Sequence, residues 1–513
     1  MRKLYQIWML TFLACFVATV ANAQSFMVQC PASTVTHPVA ANNNSEPAYT
    51  GATVFTTNAQ GFQAPTTKVN GAIKCQQISG GDGFSTMADG TQIFMFSFGP
   101  LSGLAKIAAG QPGTDFPNEF NVVGPKLQPG DPATTMDAGS AFSYNGAVGL
   151  APDPGNGNII DGHVDPRPIM DVGVMNGNIP APMMALDEDD EYFLTLSNVG
   201  MVMRPDLFEQ HTVHFHGYPN ASSFYDGVPD ASVAINIGGS FTYYYLAPDA
   251  GTYFWHCHIS PPEHLQMGMV GQIYVRPRQN RWNGDLYSGL QAQLTDLRTK
   301  CDSTTDILCS NPLPAVNTGV SNTGGLKYAY NDGDGSTQYD VEYPLQIHGF
   351  DPNFHFVATT FNPEAFLDMK DKYFLLNGRS YPDTVTAGPL ETQTTDGSNH
   401  FSQPLSSIIN IPAGKKALLR ISDLDVTEYQ TLASLGIPMK VVGYNARLLR
   451  DQAGNNLSYT TNSITLAGGE SLDVILDTTG IPVGTYYLYT PNLDHLANDA
   501  ENFGGLMTEV RVN

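Results

Sequence analysis

Six of the twelve histidines and one isolated cysteine lie between residues 211 and 269. This segment opens with His211-Thr-Val-His-Phe-His216-Gly and closes with Trp255-His-Cys-His258, followed by His264 and Met269. Cysteine, histidine and methionine are ligands that copper favours, and two histidines, one cysteine and a weak axial methionine form a blue-copper site. A fold that brings these ligands together must pair strands from separate parts of the chain.

Strand geometry divides the ligands into two groups. Side chains on a β-strand alternate between faces, so His214 and His216 should point the same way. His256 and His258 should share one face while Cys257 points to the other. Cys257 could therefore bind one copper while its two neighbours bind another, with only a few covalent bonds between the centres. The candidate ligands of the first site are His211, Cys257, His264 and Met269.

These motifs resemble the copper-binding cupredoxin domain of multicopper oxidases. The pattern His-x-x-His-x-His-Gly, followed by Gly-Thr-Tyr-x-Trp-His-Cys-His, is highly specific, and segments 226–229 and 238–243 between them also match. The resemblance covers roughly 170–277 and 340–513. It implies a type 1 copper held by His211, Cys257, His264 and Met269. It implies a second, catalytic copper centre held by His214, His216, His256 and His258.

The loop after the cysteine departs from the family pattern. Between Cys257 and His264 it is two residues longer than the usual oxidase spacing, whereas the spacing from His264 to Met269 is the usual one. We therefore expect Met269 to be the axial ligand and Met267 to be a packing residue.

The first 23 residues have the pattern of a secretory signal peptide, with a positive start, a long apolar run and Ala-Asn-Ala at the end. An uncleaved membrane anchor is the alternative interpretation. We expect a periplasmic or secreted protein with no membrane attachment after cleavage. The formal charge of −24 disfavours nucleic acid and anionic membranes as partners, because such a surface repels both.

The number of cysteines leaves Cys257 without a disulfide partner. Once the signal peptide is removed, five cysteines remain. Export permits disulfides, and the plausible pairs are Cys30 with Cys75 and Cys301 with Cys309. The odd cysteine fits a metal-bound thiolate.

The composition favours short strands joined by turns, because only 14% of residues are charged and the chain has 50 glycines and 35 prolines. We predict an all-β fold of two cupredoxin-like Greek-key β-sandwich domains with loop-rich insertions. The second domain has no cysteine and hence no type 1 site. The acidic run 187–191 is expected to be a solvated turn. The predicted boundaries are 1–23 for the signal peptide, 24–84 for an extended N-terminal segment, 85–277 for the first domain, 278–338 for a linker and 339–513 for the second domain.

The number of histidines does not decide which kind of copper centre the second site forms. In the multicopper oxidase family a complete trinuclear centre uses eight histidines in four His-x-His pairs, but this chain has two such pairs. Its domain order resembles copper nitrite reductases and two-domain multicopper oxidases. The reductases are homotrimers with a catalytic copper between subunits, which implies His216, His256 and a neighbour's His495 as ligands. However, His214 stands where the reductases have an aspartate, and they do not explain His258.

We therefore expect an exported copper-dependent oxidoreductase. It would pass electrons from a reductant through a type 1 copper to a second copper centre that reduces dioxygen. The reductant could be a small molecule such as a phenol, a metal ion or an electron-donor protein. A copper nitrite reductase-like enzyme is one alternative. A non-enzymatic blue-copper electron-transfer protein, or a cupredoxin with a binding role, is the other.

Overall fold

The computed structural model describes residues 27–66, 69–123, 144–152, 159–217, 222–247, 249–294, 311–359, 365–393 and 399–513. The expected signal peptide and the Cys301–Cys309 pair lie outside these residues. No helix among the described residues is long and apolar enough to cross a membrane.

The first half of the chain forms a β-sandwich. One sheet has the strand order β10-β8-β3-β4 and the other has the order β7-β12-β11-β9. Buried aromatic and aliphatic side chains from both sheets share one hydrophobic core, which also contains Cys257, Met267 and Met269. The strands up to residue 276 are β1 (Phe55–Thr57), β2 (Gln63–Pro65), β3 (Ile73–Thr86), β4 (Gln92–Pro100), β5 (Leu150–Pro152), β6 (Ile159–Val164), β7 (Met184–Asp187), β8 (Glu191–Gly200), β9 (His214–Phe215), β10 (Ser240–Leu246), β11 (Gly251–His256) and β12 (Val270–Arg276).

The first sandwich begins earlier than the sequence suggests. β3 starts at Ile73 and pairs with β8 and β4, so the extended N-terminal segment does not continue to residue 84. Gln76, Gln77 and Ser79 of this strand are fully buried. Polar residues at buried positions hide the alternation that marks a strand in sequence. The predicted Cys30–Cys75 disulfide is confirmed and fastens the segment to β3.

Short paired strands connect the two sandwiches. Buried residues of this connection bond both to one another and to the first domain. Gln279 donates to Asp332 at 2.7 Å within the connection, and Asn331 donates to Glu188 of the first domain at 2.8 Å. The predicted linker is thus a packed layer in its described part. Its strands are β13 (Gly284–Asp285), β14 (Ser321–Asn322), β15 (Lys327–Tyr328) and β16 (Gln338–Tyr339).

The second half forms another sandwich with its own aliphatic core. One sheet has the order β18-β17-β22-β28-β24-β25, with β26 also on β24, and the other has the order β21-β30-β29-β23-β27. The predicted all-β fold of two cupredoxin-like sandwiches is confirmed. The strands are β17 (Val341–Phe350), β18 (Tyr373–Leu376), β19 (Leu390–Gln393), β20 (Asn399–Gln403), β21 (Ile409–Ile411), β22 (Lys416–Asp423), β23 (Gln430–Leu435), β24 (Met439–Tyr444), β25 (Arg447–Leu448), β26 (Tyr459–Thr461), β27 (Ser463–Leu466), β28 (Ser471–Asp477), β29 (Gly484–Tyr489) and β30 (Met507–Val512).

Helices are short and lie between strands. One of them carries His264 in the loop after Cys257, and its first positions are two prolines that favour a helix start. The helices are α1 (Leu104–Ala108), α2 (Pro117–Phe120), α3 (Pro166–Gly173), α4 (Pro261–Gln266), α5 (Leu286–Gln293) and α6 (Pro352–Val357).

Candidate copper centres

Strand pairing brings the two histidine motifs together. In the register of β9 and β11, His256 lies opposite His214, and Trp255 lies opposite Phe215. Opposed residues project from the same face of a sheet. The two histidines therefore meet on one face, while the two aromatic rings enter the hydrophobic core on the other. Cys257 follows β11 and lies on the core side.

The first cluster consists of His211, Cys257 and His264. Their ligand atoms lie within 4.8 Å of one another, and all three residues are buried. His264 Nδ1 is 3.3 Å from Cys257 Sγ. Among the described residues, neither ring nitrogen of His211 has a partner with hydrogen-bond geometry. A buried polar atom without a partner is costly, and coordination to a metal would satisfy it.

The electrostatics of this cluster favour a thiolate. Burial alone would raise the pKa of the Cys257 thiol, but the neighbouring His264 and His211 rings outweigh it and hold that pKa well below its usual range. The thiolate in turn helps to raise the pKa of His264 to about 9, against the effect of its burial. A thiolate is the form of cysteine that binds metals, so this donor set fits a type 1 copper.

Met269 and Met267 are both fully buried beside this cluster. The backbone of Met269 is tied to the other ligands, since Cys257 N donates to its carbonyl at 3.1 Å and its own N–H donates to His264 O at 2.9 Å. Met267 instead ends helix α4, where its N–H bonds to Glu263 O. These contacts support Met269 as the axial ligand, which stays a prediction.

Two further residues adjoin the first cluster and carry no sequence motif. Gly80 of β3 lies against the His211 ring, since a Cβ there would be 2.7 Å from His211 Cδ2. Glu209 Oε2 lies 3.6 Å from His264 Nε2, on the side of the ring away from Cys257, and its side chain is 28% exposed. Glu209 thus links the buried ring to the surface.

The second cluster consists of His214, His216 and His256, whose ligand atoms also lie within 4.8 Å of one another. Nε2 of His216 is 2.9 Å from Nε2 of His256. The Nδ1 atoms of His214 and His256 lie 2.7 and 2.6 Å from the carbonyl oxygens of Asp226 and Cys257. Such contacts fix a ring so that Nε2 is left for a metal.

Two of these imidazoles, those of His216 and His256, are in the form that binds metal. Burial, followed by the charges of His214 and His258, lowers the pKa of His216 to about 4. Burial also holds the pKa of His256 well below its usual range. Neutral imidazole is the ligand form of histidine. The donor set therefore fits a copper bound through Nε2 atoms.

His258 borders this cluster. Its ring centroid lies 5.1 Å from that of His214 and 5.5 Å from that of His256. Its backbone N–H donates to Thr212 Oγ1 at 2.9 Å, which fixes the residue after Cys257. The four histidines of the predicted second site are therefore neighbours, although His258 lies outside the tightest group of three.

A cavity of about 460 Å³ opens onto the second cluster between the two domains. The first domain contributes His216, Phe254 and His256, and the second contributes 425–429 and 467–469. Gly469 lies against the His216 ring, since a Cβ there would be 3.0 Å from His216 Nδ1. The sequence offered no signal for these second-domain residues, because none belongs to a ligand motif.

His495 is not brought to either cluster within the chain. Its Nδ1 lies 3.0 Å from Gln430 Oε1, and its Nε2 lies 3.0 Å from Asn492 Nδ2 and 3.2 Å from Glu428 Oε2. The His495 ring also stacks on the ring of Phe374, with 3.8 Å between the ring centroids. A copper between subunits would have to displace these partners of Nε2. The intersubunit role of His495 stays a prediction, and its contacts disfavour it.

The comparisons with known proteins agree with this geometry. The model of the multicopper oxidase family matches residues 161–280, which contain every predicted copper ligand except His495. The laccase abr2 of Aspergillus fumigatus is 34% identical over 109 residues, 21% of this chain and 17% of that protein. The copper-containing nitrite reductase of Rhizobium meliloti is 33% identical over 114 residues, with 21% and 27% covered.

The matched region is a small part of these relatives, so the chain aligns with less than a third of their length. Among solved structures, the blue copper oxidase of Nitrosomonas europaea aligns over 85% of each chain with 17% identity and a TM-score of 0.49. The family match and the two ligand clusters cover the same residues, and copper is the cofactor that this family implies. Residues 161–280 are therefore similar to the copper-binding domains of the multicopper oxidase family.

Proposed function

We propose that this protein is a copper-dependent oxidoreductase that takes electrons from a reductant at the Cys257 centre and reduces dioxygen at the histidine centre. The observation that carries the proposal is the position of the two clusters on opposite sides of the tripeptide 256–258. Each centre has a donor set that fits copper, which when bound supplies one-electron redox chemistry.

The chain links the two centres by a short route. Cys257 belongs to the first cluster, and its neighbour His256 belongs to the second. The carbonyl oxygen of Cys257 also lies 2.6 Å from Nδ1 of His256. Because few bonds separate the thiolate from the second cluster, electron transfer between the centres needs no motion of the protein.

The reductant would give its electron at the surface beside Glu209. His264 is buried, and Glu209 is the partly exposed group against its outer nitrogen. A carboxylate at this point favours a reductant that carries positive charge or donates a hydrogen bond. A metal ion or a phenol meets this condition, and a small electron-donor protein meets it with a basic surface.

Dioxygen would be reduced in the cavity between the domains. Its walls include the rings of His216 and His256 together with apolar groups such as Phe254, Pro261 and Leu265. The cavity is open to solvent, so a small molecule such as dioxygen can reach the two rings.

Two substitutions separate the roles of the centres. Cys257→Ser should abolish the blue absorption band and all oxygen uptake. His258→Ala should keep the blue band and lower oxygen uptake at least tenfold, because only the second centre loses a ligand. The matched control is His163→Ala, which removes an exposed histidine outside both clusters. Oxygen uptake should be measured with a phenol and with Fe(II) as reductants.

Two results would contradict the proposal. A Cys257→Ser protein that stays blue would disprove the type 1 assignment. A His258→Ala protein that turns over like the wild type would disprove the role of His258 in the second centre.

Nitrite is the second candidate acceptor. The described residues bring three histidines together at this centre with His258 beside them, fewer than the eight that the trinuclear oxidase centre uses, and nitrite reductases are among the relatives. A single copper there, and a homotrimer that completes it, would fit such an enzyme. Anaerobic assays for nitric oxide with an artificial donor distinguish the two acceptors.

Export to the periplasm or the cell exterior is part of the proposal. The disulfide between Cys30 and Cys75 supports it, because disulfides persist in oxidising compartments. Fractionation of the producing cells, with N-terminal sequencing of the mature protein, tests it.

A further inference from the structure

Helix α4, which carries the candidate ligand His264, packs against the second domain. Its Leu265 belongs to a hydrophobic cluster that also contains Phe350 and Leu375 of the second domain. The helix has only 6 residues, and a helix this short is not stable by itself in water. The position of α4, and with it that of His264, therefore depends on the residues that hold the helix from outside.

Gln266, the last residue of α4, is fully buried and bonds to the second domain with its side chain and its main chain. Its Nε2 donates to Asp371 Oδ1 at 3.0 Å, and its Oε1 accepts from Asp351 N at 2.8 Å. Its main-chain carbonyl oxygen lies 2.9 Å from His355 Nε2. The second domain thus holds the end of α4 at three separate atoms of one residue.

The partners of Gln266 are themselves fixed in place. Asp351 caps helix α6, because its side chain accepts from backbone N–H groups at the start of that helix. His355 lies on α6 and is fully buried, and its Nδ1 is 2.5 Å from the carbonyl oxygen of Phe94 on β4 of the first domain. Helix α6 is therefore anchored to both domains, and it offers Gln266 a rigid attachment.

Gln266 lies in the chain between two candidate ligands of the first cluster. It follows His264 and precedes Met269 in the same short segment. Met269 N donates to His264 O at 2.9 Å, and Met269 O accepts from Cys257 N at 3.1 Å. Because these backbone bonds connect the two ligand residues, a displacement of Gln266 would move His264 and Met269 together relative to Cys257.

Resting on the function proposed above, we propose that Gln266 is a positioning residue through which the second domain holds His264 and Met269 in place for the type 1 copper. Gln266 contributes no atom to the cluster of His211, Cys257 and His264, and it acts only through the ligands on either side of it. A domain that has no cysteine thereby controls the geometry of the centre at Cys257.

The physical consequence concerns the copper and not the fold alone. The groups that hold a ligand in place affect both metal affinity and reduction potential, since they fix the orientation of the ligand. Without the bonds of Gln266, the six-residue helix would lose its polar attachment to Asp371 and Asp351. His264 and Met269 would then sample more than one position.

The test compares Gln266→Leu with Gln272→Leu, a change of the same kind in a matched position. Gln272 on β12 is also fully buried and also bonds to the second domain, since its Nε2 donates to Arg420 O at 3.0 Å and to Ser422 Oγ at 2.8 Å. It lies within a paired strand and not in the ligand loop. Both variants should lose stability in chemical unfolding, because both leave buried polar groups without partners.

Only Gln266→Leu should change the first centre. The copper affinity of this centre, measured by competition with a chelator, should fall roughly tenfold to a hundredfold. The blue band, its electron paramagnetic resonance signal and its reduction potential should shift, while the signal of the second centre stays. In the copper-free protein, amide hydrogen exchange across residues 263–269 should become faster. Gln272→Leu should match the wild type in each of these measurements.

A second variant tests the contact from the other domain. Asp371→Ala removes a partner of Gln266 and leaves the ligand loop unchanged. It should shift the blue band and the potential in the same direction as Gln266→Leu, and the double variant should show no larger shift, because both changes remove one interaction. Thr427→Val is its control, since it removes another hydrogen-bond partner of Asp371 and keeps the bond to Gln266.

Three results would overturn the inference. Equal blue bands, potentials and copper affinities in Gln266→Leu and Gln272→Leu would show that Gln266 serves only the fold. A first centre that is unchanged in Asp371→Ala would show that the second domain does not position the ligands. A copper-loaded wild type without a blue band would remove the type 1 assignment, and with it both the proposed function and this role of Gln266.

Discussion

At the scale of single residues, the position of the His211 ring depends on Gly80, a neighbour that has no side chain. Its ring is buried in the first cluster and lies against Gly80, where β3 has a register shift. The backbone of Gly80 does not have a positive φ, so the glycine is required by the close approach of the ring and not by conformation.

Gly80→Ala should displace the His211 ring. The added Cβ would be 2.7 Å from Cδ2, and overpacking of this kind costs about 1–3 kcal/mol. We expect a shifted or weakened blue band together with lower stability, measured by visible spectroscopy and chemical unfolding. Gly484→Ala is the matched control, because its nearest atom would be 3.9 Å away. An unchanged blue band in Gly80→Ala would show that the ring has room to move.

Asp82 provides a pH-dependent test of stability. Its side chain is fully buried, its Oδ2 accepts from Met203 N at 2.7 Å, and its burial raises its pKa to about 6. In the unfolded chain its pKa returns to about 3.9. Between these two values the folded protein binds more protons, so stability falls as the pH rises.

Asp82→Asn should remove this loss of stability with rising pH. A shift of about two pKa units corresponds to about 3 kcal/mol. The free energy of unfolding of the variant, relative to the wild type, should rise by about that amount between about pH 4 and pH 7. Urea unfolding at both pH values measures it. A constant difference across the range would mean that Asp82 does not carry the raised pKa.

The residues that sequence could predict are those with fixed spacing. The ligand motifs around His214 and Cys257 are local, and strand alternation assigns them to two faces. Gly80, Glu209 and Gly469 approach the clusters from distant parts of the chain. Their positions depend on sheet packing, which leaves no local pattern in the sequence.

At the scale of elements, the N-terminal segment is fastened to the first sandwich at β3. The disulfide joins Cys30 to Cys75 and closes a loop with a sequence separation of 45 residues. The same segment supplies Glu46, whose Oε1 lies 2.9 Å from Lys74 Nζ. The main effect of the disulfide should be on stability, because neither cysteine belongs to one of the two candidate ligand clusters.

Replacement of Cys30 and Cys75 by serine should therefore lower the free energy of unfolding by about 4 kcal/mol, from the loop closed by the bond. The blue band should be unchanged. Chemical unfolding and visible spectra of the variant measure the two effects. A variant that loses its blue band while still folded would connect the N-terminal segment to the copper centre.

The acidic run 187–191 shows where reasoning from composition was wrong. The sequence suggested a solvated turn, but all five residues are buried. The Arg278 side chain donates to Asp189, the backbone N–H of Arg278 donates to Glu188 at 2.7 Å, and Glu191 lies 2.9 Å from His37. The partners come from outside the run, so the charge pattern alone could not indicate that it would be neutralised in the interior.

At the scale of the whole molecule, the second sandwich has no cysteine but forms one wall of the cavity at the second cluster. Its residues 425–429 and 467–469 face His216 and His256 across the domain boundary. The sequence predicted two sandwiches correctly, because strand and turn patterns recur in both halves. It could not predict which surfaces of the sandwiches meet, because that contact depends on the shapes of loops.

The central claim is that one chain holds two separate copper centres joined through Cys257. The most direct measurement is the copper content per chain, with visible and electron paramagnetic resonance spectra, of the wild type and Cys257→Ser. The account predicts more than one copper per chain in the wild type. Cys257→Ser should lose one copper and the blue signal while it keeps the remaining copper. A wild type with a single copper, absent from Cys257→Ser, would contradict the account.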